Sequence, residues 1–228
     1  MGDSMQNYTH ITLEDILKNE EIKAYITNGN ENLGAIGFTE HGFPHAKRSS
    51  DYAASILRSL NYDARMCELA AIAGYIHDIG NVVNRVDHAQ SGALMAFQIL
   101  NRLGMPPQEV ALIVAAIGNH DESTAAPVNP IAAALILSDK GDVRRTRVRN
   151  RETVSADIHD RVNYAVERAE TQIDAERKTV TLDLTIDTQI CPVMEYFEIF
   201  MSRMVLCRKA AQFLGLQFEL IINQTRLL

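Results

Sequence analysis

The chain has 228 residues, of which 46% are hydrophobic and 22% are charged, and this composition is typical of a folded globular protein. Its 22 Lys and Arg residues against 29 Asp and Glu residues leave a formal charge of −7, which disfavours nucleic acid as a partner. The three Cys residues are odd in number and form no CxxC pair, so a disulfide framework and a thiolate zinc site are both disfavoured.

No apolar run approaches the roughly 20 residues that span a bilayer, and the first residues lack the basic and apolar segments of a secretory signal. We therefore predict a cytoplasmic protein without a membrane partner. A homo-oligomer is compatible with this composition.

The first predicted element is a short amphipathic helix over residues 11–25. Residues 28–42 hold four Gly residues interspersed with Asn, a composition that favours a loop. Apolar residues then recur at helical spacing over residues 45–60, which predicts the next helix.

The helix that follows, over residues 64–78, is apolar almost all round. Such a helix is usually buried at the centre of a bundle. Asp63 is placed to cap its N-terminus, and Gly80 is placed to end it in a left-handed conformation.

Three further helices are predicted over residues 88–103, 106–119 and 129–140. Gly104 ends the first of them, and two Pro residues open the second. The third begins with an Asn cap followed by Pro in its first turn.

The sequence changes character after Gly141. An Arg-rich polar stretch over residues 144–151 precedes a predicted helix over residues 157–169. Apolar and polar side chains then alternate over residues 179–187, which indicates a half-buried strand.

A helix over residues 192–214 and a strand over residues 217–223 are the last predicted elements. The strand over residues 179–187 could pair with this last strand or with another chain. We predict a mainly α fold, in which a helical bundle carries a small α+β C-terminal appendage. The predicted parts are an N-terminal helix and loop (1–37), a helical core (38–141) and a C-terminal extension (142–228).

Five of the predicted helices carry a His or an Asp at or near one end. The most informative case is His77-Asp78, at the end of the apolar helix, because a buried Asp is rarely tolerated unless it is paired or bound to a cation. The other positions are His45, His88, His120 and Asp139. This pattern favours a metal site between helices, although a buried His–Asp pair that caps a helix would also explain the dipeptide.

The pattern resembles the HD-domain superfamily of metal-dependent phosphohydrolases, in which a His, a His–Asp pair and a distant Asp follow one another. A subset with two metal ions has two additional His residues before the last Asp. The positions that match, in order, are His45, His77, Asp78, His88, His120 and Asp139. The resemblance covers roughly residues 38–141 and implies an HD-type helical bundle there.

The resemblance also implies a metal-dependent hydrolase that cleaves a phosphoester or phosphoanhydride of a small molecule, with a nucleotide as the first candidate, through a metal-bridging hydroxide. Asp78 would bridge two ions, with His45, His77 and Asp139 on one and His88 and His120 on the other. Ligands with N and O donors suit Fe or Mn first, and Ni, Co, Zn or Mg as further candidates.

Asp78 and Lys140 are the predicted catalytic residues. Lys140 could pair with a phosphate or with a ligating carboxylate, or it could be a solvated lysine at a helix end. Asp121 could orient His120 through its other ring nitrogen or could simply be a turn residue. His41, four residues before His45, is a candidate for lining the site.

Arg144 and Arg145 begin the Arg-rich stretch. Arginine binds phosphate well, so both are candidate substrate-binding residues, but a solvated face or a subunit contact is the commoner role of such a stretch. A second His–Asp dipeptide, His159-Asp160, lies beyond the matched region, and we predict it to be a surface or interface feature.

Several alternatives remain within and beyond this family. Asn81 occupies the position where the cyclic-dinucleotide phosphodiesterase branch has Lys, and the ligand order is loosely closest to the branch that includes diadenosine-tetraphosphate hydrolases. A few relatives use a di-iron site to activate O₂ with the same ligand set. A module that binds metal and nucleotide without turnover is the non-enzymatic alternative.

Overall fold

The computed structural model describes residues 8–149 and 158–228, and these residues form nine α-helices and one four-stranded sheet. The helices are α1 (Leu13–Lys18), α2 (Glu20–Ala35), α3 (Phe43–Ser59), α4 (Ala64–Ile76), α5 (His88–Leu103), α6 (Pro107–Gly118), α7 (Pro130–Lys140), α8 (Ile158–Ala165) and α9 (Val193–Phe213). The strands are β1 (Val166–Asp174), β2 (Thr179–Ile186), β3 (Gln217–Ile222) and β4 (Thr225–Arg226). The predicted mainly α fold with a small α+β appendage is confirmed.

The helices α4 and α7 form the centre of the bundle. Every residue of α7 from Ile131 to Lys140 is buried, and α4 is buried from Leu69 to Ile76. Helix α3 packs against both, and α9 packs against the other side of α7. Because both central helices are apolar all round, their burial supplies much of the hydrophobic free energy that stabilises the bundle.

The predicted helix caps are confirmed at three positions. The carboxylate of Asp63 accepts a hydrogen bond from the backbone N–H of Met66 at 2.9 Å, and Asn129 caps α7 through the N–H of Ala132 at 2.8 Å. Gly104 ends α5 with a φ of 86°, in the left-handed region that Gly adopts without strain.

Gly80 does not end α4 in a left-handed conformation, so that prediction was wrong. It lies in a 3-10 turn, Ile79–Val82, and its role is to leave room for a close approach. A Cβ atom at Gly80 would lie 2.0 Å from the carbonyl oxygen of His88 and 2.5 Å from the N atom of Gly92. Gly80 therefore allows the start of α5 to rest directly on the segment after α4.

The predicted loop over residues 28–42 was largely wrong, because α2 continues to Ala35. Asn19 separates α1 from α2 and caps α2 through the N–H groups of Glu21 and Ile22. A Cβ atom at Gly29 would lie 3.1 Å from the N atom of Val82, so the Gly-rich helix packs closely on the 3-10 turn. This tertiary packing outweighs the low helix propensity of Gly.

The predicted helix over residues 157–169 was also wrong over its last four residues. Within the described residues the helix covers Ile158–Ala165, and the chain then enters β1. β2 pairs antiparallel with β1 and parallel with β3, so β2 finds its predicted partner within the chain. Pairing with β2 satisfies the backbone hydrogen bonds of a segment whose Glu, Arg and Ala residues favour helix locally. The last two residues of the predicted Arg-rich stretch and the first residue of the predicted helix lie outside the described residues.

None of the helices within residues 8–149 and 158–228 combines the length and the hydropathy that crossing a membrane requires.

Candidate metal centre and cavity

The structure brings all six predicted metal ligands together at one end of the bundle. Each lies at or near the end of a helix, and His45, His77, His88, His120 and Asp139 are buried. The side chain of Asp78 is 11% exposed. The polar residues that the sequence places at helix ends thus meet in a single cluster.

Asp78 lies between two groups of ring nitrogens. Its Oδ2 atom is 3.3 Å from His77 Nε2 and 3.6 Å from His45 Nε2. Its Oδ1 atom is 3.5 Å from His88 Nε2 and 3.8 Å from His120 Nε2. The carboxylate therefore faces all four rings from the centre of the cluster.

Each of the four rings uses its Nδ1 atom for a hydrogen bond directed away from the cluster. The acceptors are Asp142 Oδ2 for His45 (2.8 Å), Gly74 O for His77 (2.9 Å), Arg85 O for His88 (3.0 Å) and Ile117 O for His120 (2.6 Å). Because a carbonyl or carboxylate oxygen only accepts, each Nδ1 carries a proton. In the neutral ring the lone pair then lies on Nε2, which points into the cluster.

Of these four Nε2 atoms, that of His88 has a donor beside it, Arg85 Nη1 at 3.3 Å. His88 Nε2 and His120 Nε2 lie 3.2 Å apart and face each other. The Nε2 atoms of His45 and His77 are buried without a hydrogen-bond partner among the described residues, and so is Oδ2 of Asp78. An unsatisfied buried polar atom costs about 1–3 kcal/mol, and a bound cation would remove that cost.

The donor atoms fit divalent metal ions. Three overlapping groups of residues could each hold an ion, and within each group the ligand atoms lie within 4.8 Å of one another. The groups are His45 with His77 and Asp78, His77 with His120 and Asp139, and Asp78 with His88 and His120. A separation of 3.2 Å between two nitrogens suits two ligands that are each about 2.0–2.1 Å from one ion. The predicted division of the ligands between two ions stays a prediction.

The electrostatics of the cluster also favour a cation. Burial raises the pKa of Asp78, but the neighbouring His side chains, His77 foremost, together lower it well below the usual range. Burial lowers the pKa of His77, but Asp78 and Asp139 raise it to about 10. In this negative field a divalent cation would replace the proton on His77, because metal binding requires the neutral ring.

Two charged residues next to the predicted ligands, Lys140 and Asp121, were given candidate roles from the sequence, and the structure places each. Lys140 is buried rather than solvated, and its Nζ atom lies 2.8 Å from Asp139 Oδ2 and 2.9 Å from Glu122 Oε2. Asp121 does not orient His120, whose Nδ1 donates to Ile117 instead, and its carboxylate accepts from Ser123 as in a turn. The catalytic role of Lys140 stays a prediction.

Asp142 is a site residue that the sequence did not reveal. It is buried, accepts from His45 Nδ1, and is surrounded by three guanidinium groups, those of Arg48, Arg144 and Arg147. Burial raises its pKa, but the hydrogen bonds from His45 and Arg144 lower it well below the usual range. A carboxylate that orients a metal-binding His is a common supporting contact, and the position of Asp142 three residues after Asp139 was the available signal.

A cavity of about 370 Å³ opens above the cluster. Asp78, His88 and Asp139 are at its base, and the segment 36–41 forms one wall, which includes His41. The residues that α8 and α9 contribute to its lining are His159, Asp160, Asn163, Ile199, Phe200 and Arg203. His159-Asp160, predicted to be a surface or interface feature, borders the cavity, with His159 exposed and Asp160 buried.

Side chains of the Arg-rich stretch form hydrogen bonds with the segment 36–41, which is one wall of the cavity. Arg147 Nε donates to Glu40 O at 2.8 Å, and Arg149 Nε donates to Phe38 O at 2.9 Å. Arg144 pairs with Asp142, and Arg145 donates to the carbonyl of Tyr164. Neither Arg144 nor Arg145 is among the described residues that line the cavity. Their predicted role in substrate binding stays a prediction.

The HD domain family model matches residues 42–177, which is more than half of the chain. The chain therefore belongs to the HD domain family, and the resemblance inferred from the sequence is confirmed. This superfamily comprises metal-dependent phosphohydrolases, and HD domains bind divalent metals. The chain is also similar to Uncharacterized protein MJ1020 of Methanocaldococcus jannaschii, with 22% identity over 212 residues that cover 82% of this chain and 80% of that protein.

Proposed function

We propose that this protein hydrolyses a phosphoester or phosphoanhydride bond of a small phosphorylated molecule, with a nucleotide as the first candidate substrate. The observation that carries the proposal is the convergence of four His Nε2 atoms on Asp78 at the base of a cavity. The cavity volume of about 370 Å³ falls in the range of small-molecule sites.

Two divalent ions would be held by the six clustered ligands, with Asp78 shared between them, and Fe or Mn are the first candidates for these N and O donors. When bound, such ions supply a water of lowered pKa and neutralise charge on phosphoryl oxygens. The protein's own contribution is to hold the rings in position through their Nδ1 hydrogen bonds.

Other side chains around the cavity would position a metal ligand and exclude water. Lys140 holds the carboxylate of Asp139 through its contact at 2.8 Å, so we propose that it positions this ligand. The apolar side chains Ile36, Ile199 and Phe200 line the walls and would exclude bulk water from the bound substrate.

The test is metal content by elemental analysis together with phosphate release from a panel of phosphoesters. The wild-type protein should hold close to two ions per chain, His88→Ala should lose part of them, and Asp78→Ala should lose nearly all metal and turnover. His10→Ala is the matched control, because His10 is exposed and lies outside the cavity, and it should behave like wild type.

Other outcomes of the same experiment would replace this proposal. Full activity in Asp78→Ala, or no metal after reconstitution, would contradict it. Consumption of O₂ by a reduced iron-loaded protein without phosphate release would point to the di-iron oxygenase alternative. Tight binding of a nucleotide without turnover in any divalent metal would point to the sensor alternative.

A further inference from the structure

Among the described residues, four Lys and Arg side chains line the cavity, and three of them form ion pairs with carboxylates. The pairs are Lys140 with Asp139 and Glu122, Arg203 with Glu122, and Arg147 with Asp142. Arg85 is the exception: among the described residues no carboxylate forms an ion pair with its guanidinium. A cation without an acidic partner beside a metal centre is available to bind an anion.

The guanidinium of Arg85 is held next to a candidate metal ligand. Its Nη1 atom lies 3.3 Å from His88 Nε2 and 3.4 Å from Asn81 Oδ1. Asn81 is buried and donates from its amide to the backbone carbonyl of Asp78 at 3.0 Å. The charge of Arg85 is thereby anchored to the chain segment that carries the central ligand.

Phe38 supports the same guanidinium from the cavity wall. The guanidinium carbon of Arg85 lies 5.6 Å from the centroid of the Phe38 ring, which is within the range of a cation–π contact. The backbone carbonyl of Phe38 is in turn fixed by Arg149 at 2.9 Å. Arg85 is therefore held between the wall and the base of the cavity.

The remaining N–H groups of Arg85 match the needs of a phosphoryl group. A guanidinium has five N–H donors in a planar fork, and this fork binds the oxygens of phosphate in pairs. The contacts to His88 and Asn81 both use Nη1. The contact to His88 also uses the lone pair that a metal ion would take.

We propose that Arg85 binds the phosphoryl oxygens of the substrate. This inference rests on the proposed function, because it assigns a substrate-binding residue to the same site. It also differs from the sequence-based expectation for Arg144 and Arg145, whose guanidinium groups are engaged with Asp142 and with Tyr164.

The test compares Arg85→Gln and Arg85→Lys with the control Arg102→Gln in the Mn²⁺-loaded protein. Arg102 lies at the opposite end of α5, about 20 Å away along the helix, and pairs with Glu21 on the surface. The readouts are the affinity for inorganic phosphate by isothermal titration calorimetry and the metal content of each protein.

Arg85→Gln should weaken phosphate binding about tenfold or more, because it removes a charged hydrogen-bond donor. Arg85→Lys should lose less, because it keeps the charge without the fork. Arg102→Gln should bind like wild type, and all variants should keep their metal. Unchanged phosphate affinity in Arg85→Gln, or no phosphate binding by the metal-loaded wild type, would overturn the proposal. If Arg85→Gln loses its metal, the phosphate affinity of Arg85→Lys is compared with wild type instead, and an unchanged affinity would overturn the proposal.

The two proposals fail separately. If phosphate affinity depends on Arg85 but the wild type hydrolyses no phosphoester with any divalent metal, this inference stands and the proposed function does not. If the wild type hydrolyses phosphoesters and Arg85→Gln changes neither phosphate affinity nor KM, the proposed function stands and this inference does not.

Discussion

Asp142 holds the ring of His45 from the side opposite to the candidate metal centre. Its Oδ2 atom accepts the Nδ1 proton at 2.8 Å, while Arg48, Arg144 and Arg147 surround the carboxylate. The carboxylate therefore sets the tautomer of a proposed ligand and forms ion pairs with three cations. Its effect on metal binding and its effect on stability are open to separate measurement.

We expect Asp142→Asn to lower metal affinity about 10- to 100-fold, because a ligand loses the charged acceptor that orients it. Competition with a chelator measures this affinity. Asp121→Asn is the control, since the Asp121 carboxylate accepts from Ser123 and does not contact His120 Nδ1. Equal metal affinity in wild type and Asp142→Asn would show that the Asp142 charge is not needed to orient His45.

The six proposed ligands could be predicted because each is a local signal, a polar residue at the end of an apolar helix. Asp142, Arg85 and Arg203 could not be predicted in this way. Their importance comes from what they contact after folding, and an Asp or Arg in a polar segment is usually a solvated residue. The candidate metal ligands could therefore be predicted from the sequence, whereas the groups around them could not.

Among the elements, the segment between α4 and α5 sets the position of His88. A Cβ atom at Gly80 would meet the His88 carbonyl at 2.0 Å, a distance that real contacts do not reach. The chain could relieve such a clash only by moving the start of α5, since the contact is with backbone and not with a flexible side chain. The spacing of His88 from Asp78 is thus set by a glycine.

We expect Gly80→Ala to lower the free energy of unfolding by about 1–3 kcal/mol and to weaken metal binding at His88. Urea denaturation and metal titration measure the two effects. Gly118→Ala is the matched control, because its Cβ would lie 3.6 Å from Ala93 Cβ, an ordinary contact, and it should be neutral or slightly stabilising. The explanation would be wrong if both variants unfolded at the same urea concentration.

The elements that sequence patterns missed are those that tertiary contacts decide. α2 continues through Gly29 because it packs on the 3-10 turn, and β1 forms because β2 offers it a hydrogen-bonded edge. The apolar helices α4 and α7 were correctly predicted, because burial on all sides leaves a signal in the local composition. Local patterns therefore predicted the bundle centre better than its periphery.

At the scale of the whole molecule, the segments on both sides of the helical core in the sequence line the same cavity. The segment 36–41 precedes the region that the family model matches, while α9 follows it, and both line the cavity. α9 is also tied to Asp139 through a chain of ion pairs, in which Arg203 contacts Glu122 and Glu122 contacts Lys140. We propose that the extension 142–228 is a part of the active cavity and not a separate module.

We expect Arg203→Met to lower the midpoint of thermal unfolding by about 2–8 °C, because Glu122 loses one of its two cationic partners in a mostly buried position. Calorimetry of the metal-free protein measures this shift. Arg208→Met changes an exposed arginine of the same helix and should leave the midpoint unchanged. Identical midpoints for the two variants would mean that the ion pairs do not hold α9 to the core.

The Nδ1 acceptors described above divide the four His ligands into two kinds with different tolerance to evolutionary change. The rings of His77, His88 and His120 donate to backbone carbonyls three residues earlier in the chain. A carbonyl is supplied by every residue type, so substitutions at those earlier positions need not disturb ring orientation. His45 depends on the side chain of Asp142. A lineage that lost this carboxylate would need a new acceptor for one ring only, and the change would begin at His45.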